Sequence, residues 1–293
     1  MDKKGRLIVI TGPTASGKSA LAVETALRLG TEVVSADSRQ IYRDIPIVTA
    51  APTAEELAAV RHHLVGFLPL DGYYSAARFE EDALRIVTEL IDRTGSAVVC
   101  GGSMMYVDAL CNGIDLLPTI PDTIRDGLAH EWLTHGDDWL RAELERSDPE
   151  YYKTVDLNNM KRVFHAVEII RASGCTYTSL RTGRKKERPF NIEKYVIDRP
   201  RPELFDRINR RVLMMVEEGL EREARAVYPR RELNSLNTVG LKEMFAWIDG
   251  KMELDEAIAR IQKNTRVYAK KQLTWLKKDP DVRRLAPGSE IIT

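Results

Sequence analysis

The stretch Arg6-Leu7-Ile8-Val9-Ile10-Thr11-Gly12-Pro13-Thr14-Ala15-Ser16-Gly17-Lys18-Ser19 decides the fold. Its first six residues form a short apolar run rich in β-branched side chains. The run stops at Gly12-Pro13, so it reads as a buried strand. The next eight residues fit G-x-x-x-x-G-K-[ST]. Gly12 and Gly17 permit backbone angles that a Cβ forbids. Pro13, Thr14, Ala15 and Ser16 lie between them, and the loop amides turn with the following helix N-terminus toward an anion. Lys18 supplies a mobile positive charge, and the Ser19 hydroxyl suits the shell of a Mg²⁺ ion. The competing reading is a chance glycine turn. Against it, Ala20, Leu21, Val23, Ala26 and Leu27 recur at helical spacing before Gly30 closes the helix.

Working outward, Thr31 to Ser35 (TEVVS) reads as a second strand. Phe79 to Arg93 reads as a helix with Phe79, Ala83, Leu84, Val87, Leu90 and Ile91 on one side. Ser96 to Cys100 (SAVVC) is a third strand, followed by Gly101-Gly102. Strand, glycine turn and helix in alternation indicate parallel βαβ units with ligands at the carboxyl ends of the strands. Leu117 to Pro121 breaks the pattern, and the chain then reads mostly helical to about Pro189, with loops at Gly174 and Gly183. Glu193 to Asp198 returns to strand character. Pro202 to Val227 and Leu254 to Lys277 read as long helices, and Gly288 to Thr293 as a short tail. The expected class is α/β: a P-loop NTPase-like parallel sheet flanked by helices, with an inserted helical domain. The core is expected at residues 1–117 and 190–293, and the insertion at 118–189.

The 293 residues suit roughly two domains, or one with an insertion. No stretch approaches the ~20 apolar residues that span a bilayer. The start, Met1 to Arg6, is charged, and the apolar segment after it is too short for a signal peptide. Cys100, Cys111 and Cys175 are widely spaced with no C-x-x-C, so a disulfide framework and a cysteine zinc site are not expected. His62, His63, His130 and His135 show no metal spacing. These features predict a cytoplasmic protein. Lys and Arg number 44, as do Asp and Glu, but the balance is uneven. Residues 50–150 carry 7 basic against 19 acidic side chains, 151–210 carry 14 against 7, and 263–284 carry 8 against 2. Two basic blocks hint at a polyanion partner; the competing reading is ordinary solvated faces.

The loop implies a diphosphate or triphosphate, and a nucleoside triphosphate is its default occupant. Two features disturb that default. The third strand ends in Gly101-Gly102, not in the acid that holds Mg²⁺ in P-loop ATPases. The second strand instead leads to Asp37.

Several motifs then resemble one family. Asp37-Ser38-Arg39-Gln40-Ile41-Tyr42 fits D-S-x-Q-x-Y, and Gly101 to Tyr106 (GGSMMY) resembles G-G-[ST]-x-x-Y. Asn159 to Glu168 (NMKRVFHAVE) resembles N-x-x-R-x-x-R-A-x-E. Arg207 to Arg211 (RINRR) resembles R-I-x-x-R, and Asn237 to Lys242 (NTVGLK) resembles x-x-[IV]-G-Y-[KR]. Thr265 to Trp275 (TRVYAKKQLTW) fits T-R-x-[YL]-A-K-[RK]-Q-x-T-W. Together with GPTASGKS, in this order and over almost the whole chain, they resemble the tRNA dimethylallyltransferases, also called tRNA isopentenyltransferases.

The resemblance implies transfer of a dimethylallyl group from dimethylallyl diphosphate to N6 of the adenine just 3′ of the tRNA anticodon. The alternative is a P-loop kinase of a small metabolite. On the family reading the loop holds a diphosphate leaving group with Mg²⁺, and no aspartate-rich D-D-x-x-D clamp is present to do so. Lys18, Ser19 and Arg211 face the leaving group, and Asp37 is implied as general base. The competing role for Asp37 is a loop-capping or metal-side carboxylate. The implied tRNA contacts are Asp37, Ser38, Arg39, Gln40, Ser103, Arg125, Lys161, Arg162, His165, Lys270, Lys271, Gln272, Thr274, Trp275 and Lys277. For Ser103 the alternative is a helix-capping hydroxyl, for Trp275 core packing, and for Arg125 and Arg211 a solvated surface charge. Arg181 to Arg188 (RTGRKKER) reads equally as an RNA grip or a solvated loop. The expected partners are a tRNA anticodon stem-loop and dimethylallyl diphosphate, with no membrane and no obligate protein partner, so a monomer is expected. Three departures stand out: His165 where the family has arginine, Leu241 where it has tyrosine, and Met104-Met105 where glycine-leucine is usual.

Overall fold

The computed structural model describes residues 5–115 and 117–291. The charged start at residues 1–4 and the last two residues of the expected tail lie outside them. Six strands form one sheet: β1 (Arg6–Thr11), β2 (Val33–Ser35), β3 (His62–His63), β4 (Ser96–Gly101), β5 (Asn191–Ile197) and β6 (Val282–Leu285). Their order is β3-β2-β4-β1-β5-β6, and every pairing is parallel. β1 is central and in register with β4 from Arg6↔Ser96 to Thr11↔Gly101.

Period-2 alternation explains the continuous apolar run of β1. Leu7 and Val9 join one core with Val34, Val99 and Phe79. Ile8 and Ile10 face the other way, with Leu21, Ala22 and Ala26. Both faces are covered, so no position along the strand needs a polar side chain.

The first five helices are α1 (Lys18–Leu29), α2 (Pro46–Thr49), α3 (Ala54–Ala59), α4 (Ala76–Thr94) and α5 (Met104–Asn112). Gly30, at φ 62°, ends α1 by donating its N–H to the carbonyls of Ala26 and Leu27. In α4 the Ser75 side chain accepts from the Arg78 amide and Gly95 closes the far end. Phe79, Ala83 and Val87 are fully buried, each large side chain contributing about 1.5–3 kcal/mol.

The chain divides into two compact units, Met1–Cys111 with Glu187–Thr293, and Asn112–Lys186. The expected insertion limits, 118–189, therefore shift toward the N-terminus. The helix after Gly101-Gly102 ends at Asn112, before the break at Leu117 to Pro121, and the second unit begins there. A backbone hydrogen bond from Lys186 N to the Asn112 carbonyl (2.7 Å) joins the two ends of the second unit. That unit contains α6 (Asp122–Ser147), α7 (Pro149–Tyr152), α8 (Met160–Ser173) and α9 (Tyr177–Leu180) around Leu128, Leu140, Leu144, Val163, Ala166 and Ile169. Gly136, at φ 82°, interrupts α6. Asp148 is buried and caps α7, accepting from Tyr151 N (3.0 Å), Thr178 N (2.7 Å) and the Thr178 hydroxyl (2.9 Å).

The first unit resumes with α10 (Arg201–Glu218), α11 (Leu220–Val227), α12 (Leu241–Ile248) and α13 (Leu254–Leu276). The single helix expected over Pro202–Val227 is two, because Gly219 adopts φ 107°. The strand β6, absent from the sequence reading, reads VRRL and is half-exposed; charged side chains suit a sheet edge and mask its strand character. Among the described residues no helix is long and apolar enough to cross a membrane.

Candidate active site

The phosphate-loop motif lies where β1 ends and α1 begins, at the carboxyl edge of the sheet. Its conformation needs its glycines: Gly12 has φ 149° and Gly17 φ 100°. Three arginines, from β5's end and from α10, engage three consecutive loop residues. Arg211 donates Nη1 to Thr14 Oγ1 at 3.1 Å. Arg207 donates Nε to the Ala15 carbonyl at 2.8 Å, and Arg199 donates Nε to the Ser16 carbonyl at 2.7 Å. Arg199 is absent from the sequence reading. The signal that could have found it is its place two residues past β5, a strand ending at the same sheet edge. Inside the loop, the Ser16 hydroxyl is fully buried and makes no hydrogen bond among the described residues.

Lys18 and Arg211 line one cavity of about 840 Å³, with Ser19, Glu56 and the apolar Ile47 and Met214. Burial pulls the Lys18 ammonium below its usual pKa; repulsion from Arg211 adds to this, while Asp37 opposes it. Burial likewise lowers Arg211, against the attraction of Asp37, Glu56 and Glu218. Two cations that are each penalised by their surroundings make a site that favours an arriving polyanion. Burial pushes the neighbouring Cys100 thiol up to about 11, so it is an uncharged filler.

Asp37 follows β2. Its Oδ1 accepts from the amides of Arg39 (2.9 Å) and Gln40 (3.3 Å), a turn-capping geometry. Its Oδ2 makes no hydrogen bond among the described residues. The Gly101-Gly102 pair packs against this turn. A Cβ on Gly101 would lie 2.1 Å from the Ala36 carbonyl oxygen, and one on Gly102 would lie 2.4 Å from Gln272 Nε2. That closeness explains why β4 ends in glycine.

Several expected RNA contacts also serve as internal braces. Gln272 is 3% exposed; its Oε1 accepts from Thr14 N (3.1 Å) and its Nε2 donates to the Gly102 carbonyl (2.8 Å). It couples the phosphate loop to the glycine pair and has no surface to offer RNA. Arg39 donates to the carbonyls of Asn234 and Ser235 at 3.1 and 3.0 Å. Gln40 donates Nε2 to the Ala50 carbonyl at 2.8 Å. The Ser103 hydroxyl, 8% exposed as a residue, accepts from Ser38 N (2.8 Å) and donates to Ser38 Oγ (3.1 Å). Ser103 thus ties the glycine loop to the Asp37 turn. Trp275 is half-buried against the core that holds Phe79. Arg188 donates to the carbonyls of Leu110 and Ala109 and to Glu80, each at 2.8 Å, so the basic run is not a free loop at its end.

Other expected contacts are exposed. Lys270, Lys271 and Thr274 lie on the exposed face of α13 and Lys277, also exposed, caps its end, with the Lys270 ammonium 5.6 Å from the Phe205 ring centre. In the second unit Lys161, Arg162 and His165 are exposed on α8. Buried Glu168 holds two of the expected contacts there: Arg125 Nε donates to its Oε2 at 3.1 Å, and His165 Nδ1 lies 2.7 Å from its Oε1. Among the described residues no group of three or more His, Cys, Asp or Glu could hold a metal ion.

A parallel sheet with this loop at its carboxyl edge and arginines from a later helix defines the class of P-loop NTPase-like α/β proteins. Comparisons with known proteins narrow the class. The IPP transferase family model matches residues 40–279. The tRNA dimethylallyltransferase 2 of Parabacteroides distasonis is 51% identical over 281 residues, covering 96% of this chain and 94% of that protein. The tRNA dimethylallyltransferase 1 of Bacteroides fragilis is 52% identical over 284 residues, covering 97% and 94%. Among solved structures, the full-length tRNA isopentenylpyrophosphate transferase of Bacillus halodurans superposes with a TM-score of 0.71 at 36% identity, covering 97% of this chain and 90% of that one. A eukaryotic dimethylallyltransferase acting on tRNA superposes at 0.82 with 25% identity, covering 96% and 74%. The chain belongs to the IPP transferase family, among the tRNA dimethylallyltransferases. These matches favour the prenyltransferase over the small-metabolite kinase.

Proposed function

We propose that this enzyme moves the dimethylallyl group of dimethylallyl diphosphate onto N6 of the adenine 3′ of a tRNA anticodon. One observation carries the reading: the cation-lined phosphate loop has a carboxylate beside it at the end of β2, while β4 ends in glycine. A nucleotide hydrolase would want a metal-holding acid at β4; a prenyl transfer needs an anion cradle and a base.

As the allylic C–O bond breaks, negative charge grows on the diphosphate. Lys18, Arg211 and the loop amides are the donors suited to it. Gly12, Pro13, Thr14, Ala15, Gly17 and Ser19 complete the cradle. The donor set fits a Mg²⁺ ion: a hard cation keeps several waters and takes one or two protein oxygens beside phosphate oxygens. Ser19 would hold it, and when bound it would neutralise diphosphate charge. The adenine amine attacks the allylic carbon and loses a proton to Asp37, whose Oδ2 makes no hydrogen bond among the described residues. Presenting the adenine requires its extrusion from the anticodon loop, at about a few kcal/mol. Exposed Lys270, Lys271, Thr274 and Lys277 on α13 and at its end suit RNA phosphates, as do Lys161, Arg162, His165 and Arg125 on the helical unit. Arg39, Gln40 and Ser103, beside Asp37 and Ser38, would meet the target nucleotide while bracing the site, whereas Gln272, 3% exposed with both amide ends engaged, would act only as a brace.

The test is direct. Radiolabelled dimethylallyl diphosphate, Mg²⁺ and unmodified tRNA are incubated with the protein. Label in the RNA, absent when the target adenine is replaced by guanine, is the expected result. An unlabelled RNA, with phosphate transfer from ATP to a small metabolite, would reverse it.

A further inference from the structure

We propose that Glu223 is a positioning residue for the allylic diphosphate: its buried carboxylate holds α2, and α2 in turn holds Arg211. The inference rests on the function proposed above and assigns a role to a charged group that the chemistry does not use.

Glu223 lies on α11 and is 8% exposed. Its Oε2 accepts from Ile47 N at 2.7 Å and its Oε1 from Val48 N at 2.8 Å. Pro46 has no N–H, so these are the first two amide donors of α2. Burial pushes the carboxyl pKa upward and the two amides counter it. An ionised acid in such surroundings is costly unless hydrogen-bonded, and both of its oxygens are engaged by one short helix.

The same helix also packs closely on Gly240. A Cβ on Gly240 would lie 2.3 Å from Val48 Cγ2, so α2 sits where only glycine leaves it room. α2 ends at Ala50, a non-glycine residue at φ 47°. The Ala50 carbonyl accepts from Gln40 Nε2 (2.8 Å) and from Arg211 Nη2 (3.4 Å). Arg211 therefore has two anchors, Thr14 in the phosphate loop and Ala50 beyond α2. Pro46, Ile47 and Ala50 also line the cavity that holds Lys18 and Arg211. A carboxylate on an outer helix thus sets both the cavity wall and one support of its cation.

The full-length protein, as Glu223→Gln and Glu223→Ala, is assayed at steady state with dimethylallyl diphosphate and unmodified tRNA. Glutamine keeps the volume but turns an N–H donor toward an amide N–H. In Glu223→Gln the KM for the diphosphate should rise about tenfold, as expected for losing one charge-assisted hydrogen bond. The KM for tRNA should not move, and Glu223→Ala should be worse. Replacing Arg211 by lysine first should abolish most of the Glu223→Gln effect, because the two act in series. An unmoved diphosphate KM, an equal rise in both KM values, or effects that simply add with Arg211→Lys would each overturn the proposal. Should the Glu223 variants fail to fold, Val48→Ala loosens α2 with Glu223 intact and must give the same selective rise; if it does not, the proposal falls. A wild-type protein that transfers no prenyl group would instead overturn the functional reading, and this inference with it.

Discussion

At the residue scale, neighbouring polar side chains divide into those with a polar atom left open and those whose polar atoms hold the site together. Asp37 and Gln272 make the contrast. Among the described residues Asp37 keeps one oxygen without a hydrogen-bond partner, whereas Gln272 has both ends of its amide engaged. Asp37→Asn should lower kcat by about 10²–10⁴-fold while leaving tRNA affinity in a filter-binding assay unchanged. A near wild-type rate would remove it as the base. Gln272→Ala should cost about 1–3 kcal/mol of stability in urea titration, since it strands the Thr14 amide and the Gly102 carbonyl. It should leave the salt dependence of tRNA binding alone. Lys270→Ala, on the exposed face of the same helix, should flatten that dependence by about one ionic contact without loss of stability. Equal salt slopes for wild type and Lys270→Ala would take Lys270 off the RNA surface. The sequence placed both residues in one basic, aromatic motif because adjacent positions share composition; it could not tell them apart, because burial alternates around a helix.

At the element scale, the strand–loop–helix unit was legible because its signals are local: β-branched residues, two glycines, then a helical period. Gly101 shows where local signals stop. As sequence it marks only a turn after a strand. In the fold it is the one place where β4 can pass the Ala36 carbonyl, with no room for a methyl group. Gly101→Ala should therefore destabilise the protein by about 3 kcal/mol or more, read as a lower denaturant midpoint, although alanine is the mildest substitution. A midpoint within error of wild type would show that the backbone yields there. β6 and the break at Gly219 escaped the sequence reading for opposite reasons. The edge strand carries charges that hide its period, and the helical pattern continues across a glycine whose positive φ only the packing of α10 and α11 imposes.

For the whole molecule, the two units each have their own core, and each has its own vulnerable point. In the helical unit that point is Asp148. Burial pushes its carboxyl up, but the amides of Tyr151 and Thr178 and the Thr178 hydroxyl outweigh this and hold it below the usual carboxylate range. Its stabilisation is present above the unfolded value of about 3.9 and is lost as pH falls through the lowered native value. Asp148→Ala should raise hydrogen exchange in α7 and α9 at neutral pH and leave β1 and β4 protected; loss of protection in the sheet as well would mean that the two cores melt together. What the sequence by itself determined was the phosphate loop, the alternating strands and helices, the presence of an insertion, and the family pattern. All of these are written in residues a few positions apart, where sterics and hydrogen bonding act along the chain. Only the tertiary structure decided which of the motif residues are buried as braces and which are left exposed. Arg211 reaches Thr14 across 197 positions and Gln272 reaches it across 258, and such meetings follow from how the sheet and its helices close on a common core, not from any property of the residues alone.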